Sequence, residues 1–489
     1  MGKIVPALLV LALLFILFLP VVSASTPVAS PTTKTPIKHI VEIIMENRAF
    51  DSLFGTYPNT NGFTGGNPYN LTVPLNLLSM HNSTILKELK AVPNGTYVTK
   101  NPIEGYMAYH GDWNHGQMNG FINYSGPQSM TYLTASQLAP LWVLAEQYSF
   151  ADNYFASALS ETSPNRLYNI AGYSPVINDY GPPPYVPFNS TIFGELQSHG
   201  LSWGYYDYNV SQGSPTLDFI QGIGHYSSHV SSWSSFYSGL SNNTIPAVSY
   251  LMPVGGGENG YDMGSPENVL KGEMWLLYTI DQIMNSPSWN STAVFITFDE
   301  GGGFYDQVAP PVLGGHQLGQ RIPMIMISPY AKENYISSTE MNHASMLAFI
   351  DYNWNLPALN QFVSLSNLPL DMFDFSRPYG NGSLIRAPLG LTAANGFPVP
   401  SSAYFTLPSS LPNVSSLFPM KPQIPFSQLN YSRTGSSDTN LSQASSVLYD
   451  TADPTYYPFY TSTFFMAFLL AVDVLLVVSA FHFSRRRKS

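Results

Sequence analysis

The sequence lacks cysteine altogether and is poor in charged residues. With no cysteine among 489 residues, disulfide bridges, thiol nucleophiles and thiolate metal sites are all excluded. Charged residues make up only 10% of the chain, and the 19 Lys and Arg are outnumbered by the 30 Asp and Glu. The formal net charge of -11 argues against the basic surface that nucleic-acid binding requires. We therefore expect no nucleic-acid partner.

The apolar residues are sufficient for one large folded domain. They make up 44% of the chain, which is enough to bury a sizeable core. From Ile37 to about Pro357, short apolar runs alternate with helical patterns, which predicts an α/β fold with a mostly parallel central sheet flanked by helices. The predicted elements are strands at residues 37–45, 292–298 and 321–328, and helices that begin near Thr191 and Ser265.

Both ends of the chain carry targeting patterns. Residues 1–24 combine Lys3, an apolar run and a terminal Val-Ser-Ala, which predicts a cleaved signal peptide, with an uncleaved anchor as the alternative. Residues 459–483 are apolar and long enough for a transmembrane helix, and the basic tail at 484–489 predicts a cytoplasmic C-terminus. Asp473 lies within this span and either pairs with another membrane helix or is neutral. These patterns predict a single-pass cell-surface protein with an extracellular N-terminal domain.

The remaining segments connect the domain to these ends. Residues 25–36 are rich in Ser, Thr and Pro and predict a flexible linker, and residues 37–400 form the folded domain. Residues 401–458 are rich in Pro and Ser and predict an irregular wrap and stalk. Asn-X-Ser/Thr triplets recur along the chain, for example at Asn123, Asn189 and Asn290, and favour a glycosylated exterior.

Polar clusters follow two of the predicted strands. Glu46-Asn47-Arg48 follows the first strand, and Asp299-Glu300 follows the strand at 292–298 and precedes three glycines. Ligands of open α/β sheets bind at the carboxyl ends of strands, and carboxylate and amide oxygens suit Mg, Ca or Mn and tolerate Zn. Alternatively, Glu46 pairs with Arg48 and Asp299-Glu300 opens a turn. Together the clusters favour a divalent metal site.

A third polar segment contains two hydroxyl side chains before a proline. In Thr162-Ser163-Pro164-Asn165-Arg166, the proline is suited to the start of a helix, so Thr162 or Ser163 would lie at a helix N-terminus that favours an anion. A hydroxyl placed there can attack a phosphoryl group. The alternative is an ordinary helix cap with an exposed Asn165 and Arg166.

Five segments in this order resemble the phosphoesterase family of bacterial phospholipases C and related acid phosphatases, part of the alkaline-phosphatase-like superfamily. They are ENRAFDSLFG from Glu46, HGDWNHGQMNGF from His110, TSPNR from Thr162, DEGGGFYD from Asp299 and RIPMIMISP from Arg321. The resemblance implies a three-layer sandwich, and hydrolysis of a phosphomonoester or a phospholipid. Ordered co-occurrence of five segments is far more specific than any one of them.

The resemblance also implies roles for individual residues. The divalent metal would be held by Glu46, Asn47, Thr162, Asp299 and Glu300. Thr162 would be the nucleophile and form a phosphothreonine, and His110 would contact the phosphoryl oxygens or protonate the leaving group. The residues assigned to substrate binding are Asn165, Arg166 and His225, with a structural role as the equal alternative for His225.

The sequence departs from the family pattern at several positions. Gln307 stands where relatives often carry His, and Gly301 replaces a common Asn. The segment GGGENGYDMG contains Glu258 and Asn259 but lacks the His of the relatives' S-E-H-P string, which places the rate or the leaving-group range in doubt. From a different class of function, the alternative is a glycosylated surface-layer or adhesion protein on a non-catalytic scaffold.

Overall fold

An eight-stranded sheet organises the computed structural model, which describes residues 32–63, 89–93, 96–207, 215–253, 255 and 260–376. Its strands are His39–Met45 (β1), Ser149–Ala151 (β2), Trp203–Asp207 (β3), Val230–Ser232 (β4), Val248–Met252 (β5), Thr292–Phe298 (β6), Met324–Ile327 (β7) and Tyr335–Ser337 (β8). The strand order is β8-β2-β7-β6-β1-β5-β3-β4. Only β7 runs against its neighbours, β2 and β6, and every other neighbouring pair is parallel. The predicted mostly parallel sheet is confirmed.

The sheet is covered on both faces. Every residue of β6 is buried, although successive side chains point to opposite faces. The helices are Phe50–Phe54 (α1), Tyr106–Trp113 (α2), Phe121–Tyr124 (α3), Ala139–Gln147 (α4), Thr162–Ala171 (α5), Ile192–Ser198 (α6), Pro215–Asp218 (α7), Trp233–Asn242 (α8), Val269–Met284 (α9), Ala344–Trp354 (α10) and Gln361–Leu365 (α11). Helix α5 packs on α10, whereas α9 packs on α8 and α4.

The predicted strands are present, and one predicted helix begins later than expected. The apolar runs at 37–45, 292–298 and 321–328 contain β1, β6 and β7. The helix expected to start at Ser265 instead begins at Val269, because the Asn268 side chain accepts the Leu270 N–H at 3.0 Å and caps it. The Ser265 hydroxyl donates to the Thr99 carbonyl at 2.7 Å.

The end of the predicted linker at 25–36 already contacts the folded domain. The Lys34 N–H donates to the Asn353 carbonyl at 2.7 Å, and the Thr35 hydroxyl donates to Asn353 Oδ1 at 2.6 Å. The predicted signal peptide, the stalk at 401–458 and the apolar span at 459–483 lie outside the described residues. Within the part of the chain that the structure describes, no helix is both long and apolar enough to span a bilayer.

A buried ion-pair cluster joins three of the sequence segments. Arg321 is fully buried and lies 3.1 Å from Asp51 Oδ1 and 3.2 Å from Asp306 Oδ1. The Arg321 guanidinium also donates to the carbonyls of Asn61 and Asp152 and lies 4.1 Å from the ring centroid of Phe50. With its N–H groups hydrogen-bonded and both carboxylates paired, the cluster meets the conditions under which buried charge is tolerated.

We expect Arg321→Met to reduce the free energy of unfolding by about 3–5 kcal/mol, because it leaves Asp51 and Asp306 buried without their counter-charge. Urea denaturation measures the loss. Lys38→Met, at an exposed position, is the control and should change stability by less than about 0.5 kcal/mol. A loss at Arg321 no larger than that of the control would contradict the importance given to the cluster.

The carboxyl of Glu42 is buried within β1 and makes stability depend on pH. Burial raises its pKa to about 8, although hydrogen bonds from Asn169 and Tyr250 favour the charged form. Between the ordinary pKa of about 4.3 and this value, the folded protein holds a proton that the unfolded chain releases. Stability therefore falls as pH rises from about 4 to 8, by up to about 1.4 kcal/mol per pH unit for this group.

We expect Glu42→Gln to remove this contribution, because the amide oxygen can still accept the Asn169 Nδ2 hydrogen bond. Its thermal unfolding temperature should match the wild type near pH 4 and exceed it near pH 8. Glu340→Gln, at a half-buried loop position, is the control. Identical pH slopes for wild type and Glu42→Gln would show that Glu42 is not a proton-holding group.

Candidate active site

The register of the sheet brings two of the polar clusters together. Met45 and Phe298, the last residues of β1 and β6, are paired, so that Glu46 and Asp299 emerge side by side at the carboxyl ends of parallel strands. The Asp299 N–H donates to the Met45 carbonyl at 3.0 Å, and the Asn47 N–H donates to Asp299 Oδ1 at 3.0 Å. The expected convergence is therefore present.

Arg166 bridges the two carboxylates. Its guanidinium donates to Glu46 Oε1 and, through Nε at 3.1 Å, to Asp299 Oδ2. It also lies 3.2 Å from the sulfur of Met252, the last residue of β5. Arg166 therefore lies over the ends of three neighbouring strands, and its side chain is only 11% exposed.

The alternative pairing of Glu46 with Arg48 is wrong. Arg48 is fully buried, and its side chain donates to the Met263 carbonyl and the Thr99 hydroxyl, each at 2.8 Å. Its guanidinium lies 4.6 Å from the ring centroid of Phe304. Arg48 thus ties the Glu46 segment to neighbouring loops, while Glu46 pairs with Arg166 at the strand end.

Thr162 is the first residue of α5, and Glu161 precedes it at the cap position. The helix begins two residues before Pro164, the expected start. The Thr162 hydroxyl donates to Glu46 Oε2 at 3.2 Å and is half-buried. Ser163 is buried, and its backbone N–H donates to Asp179 Oδ1 at 2.6 Å. Of the two residues, Thr162 is the one whose hydroxyl contacts a strand-end carboxylate.

Asn165 has a structural environment rather than the exposed one expected of a substrate ligand. It is fully buried, and its Oδ1 accepts the Ala158 N–H at 2.8 Å. Its Nδ2 donates to the carbonyls of Ala158, Ser160 and Glu161. These bonds hold the loop that leads into Thr162, so the contacts of Asn165 argue against direct substrate binding.

Glu300 is fixed beside the strand ends by one contact from helix α2 and one from its own loop. Its Oε1 accepts the Tyr109 hydroxyl at 2.8 Å, and its Oε2 accepts the Gly302 N–H. Gly302 has φ 63°, and a Cβ there would lie 2.3 Å from the Asn47 carbonyl oxygen. The glycine therefore permits the close approach of the two polar segments.

Asn47 presents a buried oxygen atom without a partner. Its Nδ2 donates to Glu104 Oε1 at 3.1 Å. Among the described residues, no donor lies within hydrogen-bond distance of its Oδ1, although that atom is buried. A buried acceptor without a donor is costly, and a cation is one partner that would satisfy it.

The electrostatics of the site reflect crowded carboxylates. Burial raises the pKa of Glu46 well above its ordinary value, with Arg166 opposing and Asp299 reinforcing the shift. Burial likewise raises the pKa of Glu300, and the nearby Glu104 and Asp299 add to the effect. Burial also disfavours the charge of Arg166, but Glu46 and Asp299 outweigh it and raise the Arg166 pKa. One guanidinium thus pairs with two of these acids.

The side chains at the strand ends offer the oxygen atoms that a hard cation prefers, but they are not arranged around a single point. Glu46, Asn47, Thr162, Asp299 and Glu300 supply only oxygen atoms, which Mg, Ca and Mn prefer. Within the described ranges, no group of three or more His, Asp or Glu side chains is arranged as a metal cluster. Arg166 lies between Glu46 and Asp299 and pairs with both. Two features fit a cation, namely the unpaired Asn47 Oδ1 and the excess of carboxylates over basic side chains.

The two histidines of the predicted site are placed differently. His110 lies on α2, one residue after Tyr109, and its Nδ1 is 2.9 Å from the Tyr106 carbonyl. His225 is exposed and precedes β4, the outermost strand, at its amino end. Because β4 is parallel to the central strands, its amino end lies on the edge opposite Glu46, which argues against His225 as a substrate ligand.

Several residues that contact the candidate site were not identified from the sequence. Asp262 is buried, its carbonyl accepts the Glu46 N–H at 2.8 Å, and burial with the neighbouring Glu267 carboxyl raises its pKa. Glu104 lies just before α2, and Tyr109 lies within it. Their nearness in sequence to the His110 segment was the only feature that could have pointed to them. Glu258 and Asn259 lie outside the described residues.

Gln307, the departure from the family pattern beside Asp306, supports the buried ion-pair cluster. Its backbone N–H donates to Asp51 Oδ2 at 2.9 Å, and its side-chain amide donates to the Asn61 carbonyl at 3.0 Å. The residue in the place of the usual histidine therefore has a structural role next to Arg321.

The chain is similar to several named phospholipases. It is 26% identical over 394 residues to a non-hemolytic phospholipase C of Burkholderia pseudomallei, a match that covers 65% of this chain but only 55% of the relative. It is 27% identical over 417 residues to phospholipase C A of Mycobacterium tuberculosis, covering 71% and 79%. A crystal structure of a protein in the alkaline phosphatase superfamily from Vibrio parahaemolyticus matches with a TM-score of 0.32 and 11% identity, covering 60% and 81%.

The resemblance inferred from the five sequence segments is confirmed by a match that spans most of the chain. That match covers residues 37–357, from just before β1 to just after α10, and includes both strand ends that form the site. The chain therefore belongs to the Phosphoesterase family.

Proposed function

We propose that the chain hydrolyses phosphoric esters with the help of a divalent metal ion, and that Thr162 is the nucleophile. The observation that carries the proposal is the hydrogen bond from the Thr162 hydroxyl to Glu46 Oε2, at 3.2 Å, at the start of α5. Because Glu46 lies beside Asp299 at two strand ends, the hydroxyl faces a cluster of oxygen ligands. This arrangement has the residue types that activate an alcohol for attack on phosphorus.

In the proposed reaction, Thr162 Oγ1 forms a bond to phosphorus while the bond to the leaving alcohol breaks. A bound Mg, Ca, Mn or Zn ion would lower the pKa of the hydroxyl and neutralise charge on the phosphoryl oxygens. Glu46 Oε2, which accepts the hydroxyl hydrogen bond, takes the Thr162 proton as the bond to phosphorus forms, and Arg166 supplies a guanidinium beside it. His110 is the candidate proton donor to the leaving alcohol, and water then hydrolyses the phosphothreonine.

The substrate class is either a phosphomonoester or a phospholipid head group. Relatives named phospholipase C support the lipid, and the acid-phosphatase resemblance supports the monoester. The second candidate function is a non-catalytic glycosylated surface or adhesion protein on the same scaffold. The hydroxyl contact between Thr162 and Glu46 favours the enzyme, because it places an alcohol beside the strand-end carboxylates.

We place the domain on the outer cell surface, anchored by a C-terminal membrane helix. The apolar sequence at 459–483 and the basic tail after it support the anchor, and the pattern at 1–24 supports export. The side chains of Asn123, Asn189 and Asn290 lie at exposed positions, as glycosylation requires.

We expect the purified protein to hydrolyse an aryl phosphate only when a divalent metal is present, because the carboxylates at the strand ends need a cation to bind an anionic substrate. Activity before and after chelation, and after re-addition of Mg, Mn, Ca or Zn, measures the dependence. A parallel assay with a phosphocholine diester separates the two substrate classes. Full activity after complete metal removal contradicts the metal proposal, and a protein that contains no metal and cleaves neither substrate supports the non-catalytic alternative.

We expect Thr162→Val to reduce turnover by at least about 10³, because it removes the attacking oxygen but keeps a branched side chain of similar shape. The matched control is Ser163→Ala, which should cost less than about tenfold, because the recorded contact of that residue with Asp179 uses its backbone. Steady-state kinetics measure both variants, and circular dichroism checks folding.

Trapping of the covalent intermediate tests the same assignment independently. Acid quenching during turnover, followed by mass spectrometry, should locate phosphate on Thr162. Phosphate on Ser163, or near-normal turnover by Thr162→Val, would show that Thr162 is not the nucleophile.

A further inference from the structure

We propose that Glu104 is a positioning residue that orients the side-chain amide of Asn47 for cation binding. The inference rests on the proposed function, because it assumes that Asn47 Oδ1 is a metal ligand. Glu104 lies in the loop just before α2. Its Oε1 accepts the Asn47 Nδ2 at 3.1 Å. The same Oε1 accepts the Asn101 amide at 3.0 Å when the nitrogen of that amide faces it.

The chemistry of an amide explains why this contact decides which atom faces the site. A carboxylate oxygen only accepts hydrogen bonds, so it selects the NH2 end of Asn47 and turns Oδ1 to the other side. There Oδ1 is buried and has no donor among the described residues. The reversed amide would place two acceptor oxygens against each other and bury the NH2 group in its stead.

The backbone of Asn47 is fixed as well, so that rotation of the amide is the remaining freedom. Its φ is 55°, and its N–H donates to Asp299 Oδ1 at 3.0 Å. Asp299 therefore holds the main chain of Asn47, and Glu104 holds its side chain. Outer-sphere partners of this kind typically contribute 10–100-fold to metal affinity.

Glu104 is distinguished from a direct ligand by its contacts. Its Oε1 is engaged by two amide groups, and burial raises its pKa, with the like-charged Asp299 and Asp179 adding to the shift. The sequence segments that resemble the family do not include it. Its role is therefore assigned from its position alone.

The test measures Mn²⁺ affinity of the purified full-length protein by calorimetry, without using activity. Glu104→Ala should weaken Mn²⁺ binding by about 10–100-fold. Glu104→Gln keeps an oxygen that can accept from Asn47 and should remain within about fivefold of wild type. Asn47→Gly removes the ligand but suits the positive φ, and adding Glu104→Ala to it should weaken binding no further. Glu146→Ala, a half-buried carboxylate on α4, is the control and should bind as wild type does.

Several outcomes would overturn the inference. Unchanged affinity of Glu104→Ala, or equal loss in Glu104→Gln, would show that amide orientation is not what Glu104 provides. Additive losses in the double variant would show that it acts independently of Asn47. Each of these leaves the proposed function intact, whereas a wild-type protein that does not bind Mn²⁺, Mg²⁺, Ca²⁺ or Zn²⁺ removes the metal site and this inference together. Should Glu104→Ala not fold, Glu104→Asp withdraws the carboxylate by one methylene and carries the same expectations.

Discussion

The pairing of Arg321 with Asp51 and Asp306 is the interaction on which the site depends. Asp51 belongs to the segment that begins with Glu46, Asp306 to the segment that begins with Asp299, and Arg321 precedes β7. One fully buried guanidinium therefore ties together the backbones that carry the two strand-end carboxylates. Since removal of one partner leaves buried charge uncompensated, the three segments are bound to a single arrangement.

The strand ends were predictable because their signal is local. A branched apolar run followed by acids identifies both the strand and its polar end, and parallel pairing then makes Glu46 and Asp299 neighbours. The start of α5 at Thr162 was predictable to within two residues for the same reason, since proline marks the first turn. The carboxylate pair therefore followed from short stretches of sequence, whereas only the family resemblance placed Thr162 beside it.

The remaining parts of the site depend on contacts between distant segments. Arg166 lies between Glu46 and Asp299 because α5 packs over the strand ends, a placement that no spacing reveals. Asp262 and Glu104 reach the site from loops of irregular sequence. The position of His225 at the opposite edge was not predictable, because sequence does not say which edge of the sheet a loop occupies. Asn165 was assigned to substrate binding because it is a polar residue within the TSPNR segment. Its side-chain amide instead makes hydrogen bonds to the backbone of the preceding loop.

The Asn165 side chain fixes the loop before Thr162 through contacts that are local in sequence. All hydrogen bonds of its side chain go to residues 158–161, so the loop before Thr162 is held in part from within a stretch of nine residues, 158–166. The loop that carries Asn101 and Glu104 takes no part in these bonds. If Thr162 is the nucleophile, as proposed, substitutions in other loops can change which alcohol is accepted while the attacking oxygen keeps its place.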